Sequence, residues 1–564
     1  MKVAWIFSLV AALLIAGCSQ HRQNADLVIH GGPIFSAQAN NKIYQAMAIK
    51  DGKIVSVGDE QLVRQVKARQ TIDLKGRFAM PGFNDAHSHI RGRAKRYIDL
   101  SEVTSIAELQ ARVSNKIAEL PAGEWITGYG WSEDRLAEKR KPTRIDLDSA
   151  APDNPVFLDR EGGHSGVANT KALTLAGLTS SSQDPEGGQL ERMADGSLSG
   201  IIRENRTIVS SLVPDAEPAE IRADLAKRLN ALFSLGITSV TDASTSVDDY
   251  RSIWRPLYAN AAQPLPRATV QINPDLVHRG SQGAIAELAA LGAVTGGGNE
   301  FLRIGAVKVF VDGGFTGPAA WTTKGYRNDS DYHGAAAVDL QALEIFSARA
   351  HIAGWQLGYH AIGDLAIKRT VEMFDRILTA NPRDNHRHHV NHFSVLPDDP
   401  SLKTMARQQI GIIQQPNFTF SLEGRYRTYL PDDALAHNNA VATPLRNGIK
   451  MAFSSDIIPI DPRVGVYAAV TRAGISGAIY GPDEAIDVAL ALRLYTAGGA
   501  WMNFREKEVG EISPGMAADI IIIDRNLLAV APKDILDAKV DMTFIGGKIV
   551  FDRAKQGPSG SYRR

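Results

Sequence analysis

Pro81-Gly82-Phe83-Asn84-Asp85-Ala86-His87-Ser88-His89-Ile90 places two histidines two residues apart at the end of a strand-like run. In an extended strand alternate side chains share a face, so His87 and His89 project to one side, where two imidazoles can share a cation. The Pro-Gly pair marks the turn into that strand. An H-x-H spacing alone says little in a chain with 14 histidines, and His386-Arg387-His388 has the same spacing. What sets 81–90 apart is its place at the head of an alternating pattern, where the first strand of a barrel would emerge.

Downstream, short apolar runs alternate with helical stretches. The strand-like runs include GITSV (236–240), 304–311, WQL (355–357), HV (389–390), 410–414 and KMAF (450–453); the stretches 219–235, 341–351 and 364–378 have helical spacing. Repeated βα units of this kind predict an α/β fold, a (β/α)8 TIM barrel over 81–504. Residues from about 123 to 230 break the rhythm with Pro, Gly and Asp and are expected to form an inserted lobe over the barrel mouth. Both flanks, 26–80 and 505–553, read as short strands. DGKIV (51–55) and GGKIV (546–550) are near copies from opposite ends, so a small β-sandwich built from both termini is expected, with chance similarity as the alternative.

The chain has 564 residues, 62 Lys+Arg against 62 Asp+Glu, 44% hydrophobic residues and one cysteine. The charge balance gives no footprint for nucleic acid. One cysteine excludes an intramolecular disulfide and a multi-cysteine zinc site, which leaves metal binding to His, carboxylates or a less usual ligand. That cysteine follows Met1-Lys2, an apolar run over 3–16 and Gly17. The run is too short to span a bilayer and has the length of a signal-peptide core. Leu14-Ile15-Ala16-Gly17-Cys18 resembles a bacterial lipobox, so 1–17 is expected to be a lipoprotein signal peptide, Cys18 the lipidation point and 18–25 a tether. Ser19 after the cysteine resembles the sorting signal for the outer membrane, facing the periplasm.

Taken together, the motifs resemble the amidohydrolase superfamily in its amidohydrolase-3 branch, which includes YtcJ-like proteins and N-substituted formamide deformylases. The resemblance runs over about 26–553 and rests on PGFNDAHSHI, WITGYGW (125–131), 142–173, GITSVTDA (236–243), VKVFVDGG (307–314), HAIGD (360–364), 454–472 and GEISPGMAADIIIID (510–524). It implies metal ligands at His87 and His89 on strand 1, Lys308 on strand 4, His360 on strand 5, His392 on strand 6 and Asp456 on strand 8. The spacing is independently consistent with a barrel: His360 to His392 is one βα unit long and His392 to Asp456 two.

A free ammonium repels cations, but a desolvated lysine loses its proton, and the neutral amine can add CO2 to give an anionic carbamate. The resemblance thus implies a carboxylated Lys308 with one or two divalent ions, zinc expected; the alternative is a strand lysine paired with Asp312. Asp456 is implied to bind metal, to take the proton of the attacking water and to return it to the departing nitrogen; a turn or capping Asp is the alternative. The family usually reads Arg-Ile-Glu-His on strand 6, where this chain has His389-Val390-Asn391-His392, leaving open what orients His392. His388 and His389 beside it read equally as a surface cluster. His164 and Asn169 are expected to contact substrate or to hold the lobe's loop, Tyr129, Trp131 and Trp321 to wall a pocket or to fill core, and Asp364 to cap a helix or support His360.

The expected function is metal-dependent hydrolysis of the C–N bond of a small N-acyl or N-formyl amine, within the enzymes acting on carbon–nitrogen bonds other than peptide bonds. Deacylation of peptides or N-acyl amino acids and hydrolysis of cyclic amides are the alternatives within the superfamily, and a non-catalytic binding lipoprotein is the alternative outside enzymes. The expected partners are a small-molecule substrate, no nucleic acid, and the membrane through Cys18 only, with a homodimer as an allowed assembly.

Overall fold

A computed structural model describes residues 23–556 apart from Gly162, His164 and Gly187. Cys18, the signal segment and His164 therefore lie outside the described residues. Eight parallel strands run in sequence order: β1 (Phe83–Ser88), β2 (Ile237–Thr245), β3 (Arg267–Ile272), β4 (Leu302–Phe310), β5 (Leu357–Ala361), β6 (His389–His392), β7 (Gly411–Gln414) and β8 (Met451–Phe453). All but β4 are buried at every position. Parallel strands covered by helices outside and by side chains inside have no solvent face, which explains their near-continuous apolar runs.

The helices between strands follow from spacing and caps. Asp364–Ala380 buries Ile367, Val371, Phe374, Ile377 and Leu378, a stripe at intervals of three and four. Leu340–Ile352 and Asp399–Gln408 open on Asp339 and Asp398, whose carboxylates accept amide hydrogens from Ala342 and Ser401.

The barrel is nearly closed. Between β8 and β1 the strand ladder gives way to three hydrogen bonds: Asp456 N–H donates to His87 O at 2.8 Å, Ser455 N–H to Asp85 Oδ1 at 3.1 Å, and Ser88 Oγ to Asp456 O at 3.1 Å. Tyr495 wedges into this seam, edge-on to Phe83 and Phe453 with ring centroids 6.0 and 5.3 Å away. The seam thus ties the β1 and β8 ends of the site together.

Two expectations need correction. The irregular stretch begins earlier and ends sooner than 123–230. Tyr97–Asp99 pairs in parallel with Ile126–Trp131 to start a six-stranded mixed sheet that ends at Leu198–Arg203. Three residues are too few for periodicity to register a strand, and helix Pro218–Ala231 already packs Leu225 and Leu229 into the barrel core. The flanking strands, expected as a sandwich, form one continuous hydrogen-bonded eight-stranded sheet. Phe78–Pro81 pairs with Ile520–Ile523, and Gln23–Phe35 with Ile43–Lys50 and Val66–Asp73. The DGKIV and GGKIV copies are equivalent hairpins: Asp51 and Gly52 (φ 49° and 77°) and Gly546 and Gly547 (φ 53° and 72°) each supply the two left-handed residues of a tight turn. Buried Arg267 of β3 and Asp519, beside this sheet, pair at 2.7 Å and join it to the barrel.

Candidate metal centre

The six residues come from five strand ends and meet at the C-terminal face of the barrel. One ligand atom each of His87, His392 and Asp456 lies within 4.8 Å of the others, and all three residues are buried. His89 Nε2 is 3.7 Å from Asp456 Oδ1. The His360 ring centroid is 4.4 Å from that of His392, and Lys308 Nζ is 3.5 Å from His87 Nε2. The backbone bends to achieve this. His392, Phe393 and Asp456 have φ of 77°, 52° and 55°, so β6 and β8 end in left-handed turns on non-glycine residues. Neighbouring strand residues face opposite ways, and the turn at His392 lets both it and Asn391 serve the site.

The electrostatics leave these groups ready to bind a cation. Burial, reinforced by Lys308, pushes His89 and His360 down to about 3, and burial holds His87 and His392 well below the ordinary imidazole range, so all four rings are neutral. Burial lowers the Lys308 ammonium toward its neutral amine and raises the Asp456 carboxyl, with their mutual attraction opposing both shifts. Lys308 does not pair with Asp312, whose carboxylate accepts the backbone amides of Trp321, Ile362 and Gly363. His360 donates Nε2–H to Gly313 O at 3.4 Å, and its buried Nδ1 has no partner among the described residues. An unpartnered imidazole nitrogen beside neutral histidines and a carboxylate is a donor set that fits a divalent ion bound by N and O ligands.

Supporting residues fix the rings. His87 donates Nδ1–H to Asn391 Oδ1 at 2.8 Å, and His392 donates Nδ1–H to Gln415 Oε1 at 2.9 Å. Gln415 therefore orients His392, and the residue in the family's usual Glu position serves His87 instead. Gln415 escaped the sequence reading, although a polar Gln414-Gln415 pair after apolar Ile412-Ile413 marks a strand end turning into a site. Asp85, two residues before His87 on the same face, was missed too. It accepts the Ser455 amide, and burial raises its carboxyl to about 7.

The other residues separate. Asn169 is buried and spends its amide on the fold, accepting from Val156 N and Ala172 N and donating to Ala151 O and Asn154 O. Trp131 is buried and donates to Leu158 O. Of the two roles open to each, the structure shows the structural one: Asn169 ties the lobe's loop and Trp131 fills its core. Tyr129 is 41% exposed, and Trp321 touches the site through its amide to Asp312. Asp364 accepts from Thr323 N at 2.8 Å, a loop tie at a helix start. His386, His388 and His389 form no surface cluster: His388 Nε2 meets His351 Nδ1 at 2.9 Å in the core. A cleft of about 360 Å³ opens between the loops after β4 to β7, with Phe315, Tyr326, Val395 and Tyr429 along its wall. Phe315 and Val395 also pack with Ile362 and Phe418, and the Phe418 ring stacks 6.0 Å from His392.

Comparison with known proteins finds a family and a fold for the chain. Residues 70–551 match Amidohydro_3, the amidohydrolase family. The chain is 28% identical to YtcJ of Bacillus subtilis (strain 168), covering 93% of this chain and 99% of that protein. It is 26% identical to N-substituted formamide deformylase of Arthrobacter pascens, covering 94% and 99%. Among solved structures, an uncharacterized metal-dependent hydrolase from Pyrococcus horikoshii OT3 superposes with a TM-score of 0.71 at 25% identity, covering 90% of this chain and 99% of that one.

Proposed function

The chain belongs to the amidohydrolase family Amidohydro_3, and because an N-substituted formamide deformylase and a metal-dependent hydrolase are among the proteins it resembles, we propose that it is a metal-dependent hydrolase of the C–N bond in a small N-acyl or N-formyl amine. The observation that carries the reading is the convergence of His87, His392 and Asp456 within 4.8 Å, with the unpartnered His360 Nδ1 beside them. His87, His89, His360, His392, Asp456 and Lys308 would hold one or two ions, with zinc favoured by the N and O donors. When bound, the ions supply Lewis acidity toward the amide carbonyl and toward water.

The chain's own residues do the rest. Lys308, neutral and buried, adds CO2 and releases a proton, giving an anionic oxygen where an ammonium would repel the ions. Asp456 accepts a proton from the attacking water and delivers it to the leaving nitrogen, so one carboxylate acts as base and then acid. The Phe310 ring at the end of β4 lies against the lysine, its centroid 4.8 Å from Lys308 Nζ. The N-formyl or N-acyl amine class is supported by the Arthrobacter pascens relative. The sequence around Cys18 supports attachment to the outer membrane by a lipid.

The test is elemental analysis of the purified protein with activity on a panel of N-formyl amines, N-acyl amines, dipeptides and esters. Stoichiometric metal and activity lost in Lys308→Ala are expected. Absence of zinc, manganese and iron, with unchanged activity in Lys308→Ala, would overturn the reading.

A further inference from the structure

The two most tightly held imidazoles of the site lean on carboxamides. His87 gives its Nδ1–H to Asn391 and His392 gives its own to Gln415. The surroundings fix both directions. Gln415 Nε2 donates to Ser454 Oγ at 2.8 Å and to Ile413 O at 3.5 Å, so its oxygen must face His392. Lys308 Nζ, 3.5 Å from His87 Nε2, faces a ring nitrogen that carries a lone pair only when Nδ1 holds the hydrogen. Asn391 is fully buried, and its Nδ2 has no acceptor among the described residues.

Metal-bound histidines usually donate to a carboxylate, a backbone carbonyl or water, and a carboxylate there makes the ring a stronger ligand. None of the buried carboxylates around this site takes either ring's Nδ1–H: Asp85 accepts the Ser455 amide through Oδ1, Asp312 accepts three backbone amides, and Asp242 accepts from Ile90 N and Thr245 Oγ1. We propose that Asn391 and Gln415 form a neutral clamp, two positioning residues that fix the Nε2 side of His87 and His392 toward the ions without adding charge. The site's negative charge then comes from Asp456 and from carboxylated Lys308. Bound ions would be held less tightly than carboxylate clamps would hold them and would act as stronger Lewis acids toward the carbonyl. The clamp rests on the metal-site reading above.

Asn391→Asp and Gln415→Glu keep shape and add charge, whereas Asn391→Leu removes the acceptor. The full chain is titrated with zinc against a chromogenic chelator, and its cobalt(II) form is followed by visible absorption. The charged variants should bind zinc about tenfold tighter with shifted cobalt bands, and Asn391→Leu about 10–100-fold weaker. A purely structural role would lower the unfolding midpoint of all three without tightening zinc in any. Wild-type zinc affinity and an unshifted cobalt spectrum in both charged variants would overturn the clamp, while the wild type still bound metal. A wild type that retains no stoichiometric metal would overturn the metal-site reading itself. The two positions are independent, so misfolding of one variant leaves the other to decide.

Discussion

Replacing Asp456 by asparagine should separate metal binding from proton transfer. The substitution keeps the shape and one oxygen, and asparagine tolerates the left-handed φ of 55° as well as aspartate does. The seam bonds from Asp456 N–H to His87 O and from Ser88 Oγ to Asp456 O involve only backbone atoms of residue 456 and survive. What disappears is the carboxylate that faces His89 Nε2 at 3.7 Å and His392 Nδ1 at 3.9 Å.

General acid–base catalysis contributes about 10²–10⁴-fold, and where the site falls in that range depends on what can stand in. Asp242 and Asp312 are buried with both oxygens turned to other donors, whereas Asp85 accepts the Ser455 amide through Oδ1 and leaves Oδ2 without a partner among the described residues, so Asp85 is the one of the three that can stand in. The loss should therefore lie near the middle of the range, about 10³-fold in kcat, or about 4 kcal/mol of barrier at 1.36 kcal/mol per tenfold. Because the missing group acts in the transition state, kcat and kcat/KM should fall together. The assay is release of free amine from the best substrate of the panel, with metal content measured on the same preparation. Full metal occupancy with activity within tenfold of wild type would refute the assignment of Asp456 as proton carrier. Lost metal with lost activity would assign it as a ligand first.

Dialysis against a chelator should abolish activity and lower the unfolding midpoint, with both restored by zinc; ligand linkage at a free metal concentration a thousandfold above Kd is worth about 4 kcal/mol, and an unchanged midpoint would argue against an internal ion. Arg267→Ala leaves Asp519 buried without its cation and should cost about 3–5 kcal/mol in denaturant unfolding. In a double-mutant cycle with Asp519→Asn the second change should then cost little, and full additivity would refute the coupling of barrel and terminal sheet. Burial raises Glu484, but hydrogen bonds from Thr443 and Val441 outweigh it and hold its carboxyl below the ordinary value of 4.5. A lowered folded-state value means stability that is present above the unfolded value and lost as pH falls through the folded one. Glu484→Gln should therefore flatten the loss of stability below about pH 4.5, and an unchanged acid limb would refute this contribution.

The barrel was legible because parallel strands and their covering helices write their periods into the chain: ITSV (237–240) lies on β2, and helix Asp364–Ala380 was anticipated at nearly its full length. Tyr97–Asp99 was not, because a three-residue strand has no period and forms only through its parallel neighbour. Trp131 and Asn169 looked like site residues because aromatic and amide side chains suit pockets and cores equally, and burial alone separates the two uses.

By itself the sequence determined the kind of chemistry available: a single cysteine, a paired H-x-H at a strand end, and a family pattern naming six residues. Their identities are local properties, fixed by which side chains the chain carries and at what interval. Tertiary structure decided which groups act together. His87 and Asn391 are 304 positions apart and Asp456 and Ser88 are 368 apart, distances across which no periodicity carries information. Only barrel closure brings β1 beside β8 and lets an amide on β6 reach a ring on β1. Burial does the remaining work, since removing water holds the histidines neutral and lowers the lysine, and neither effect exists in the unfolded chain.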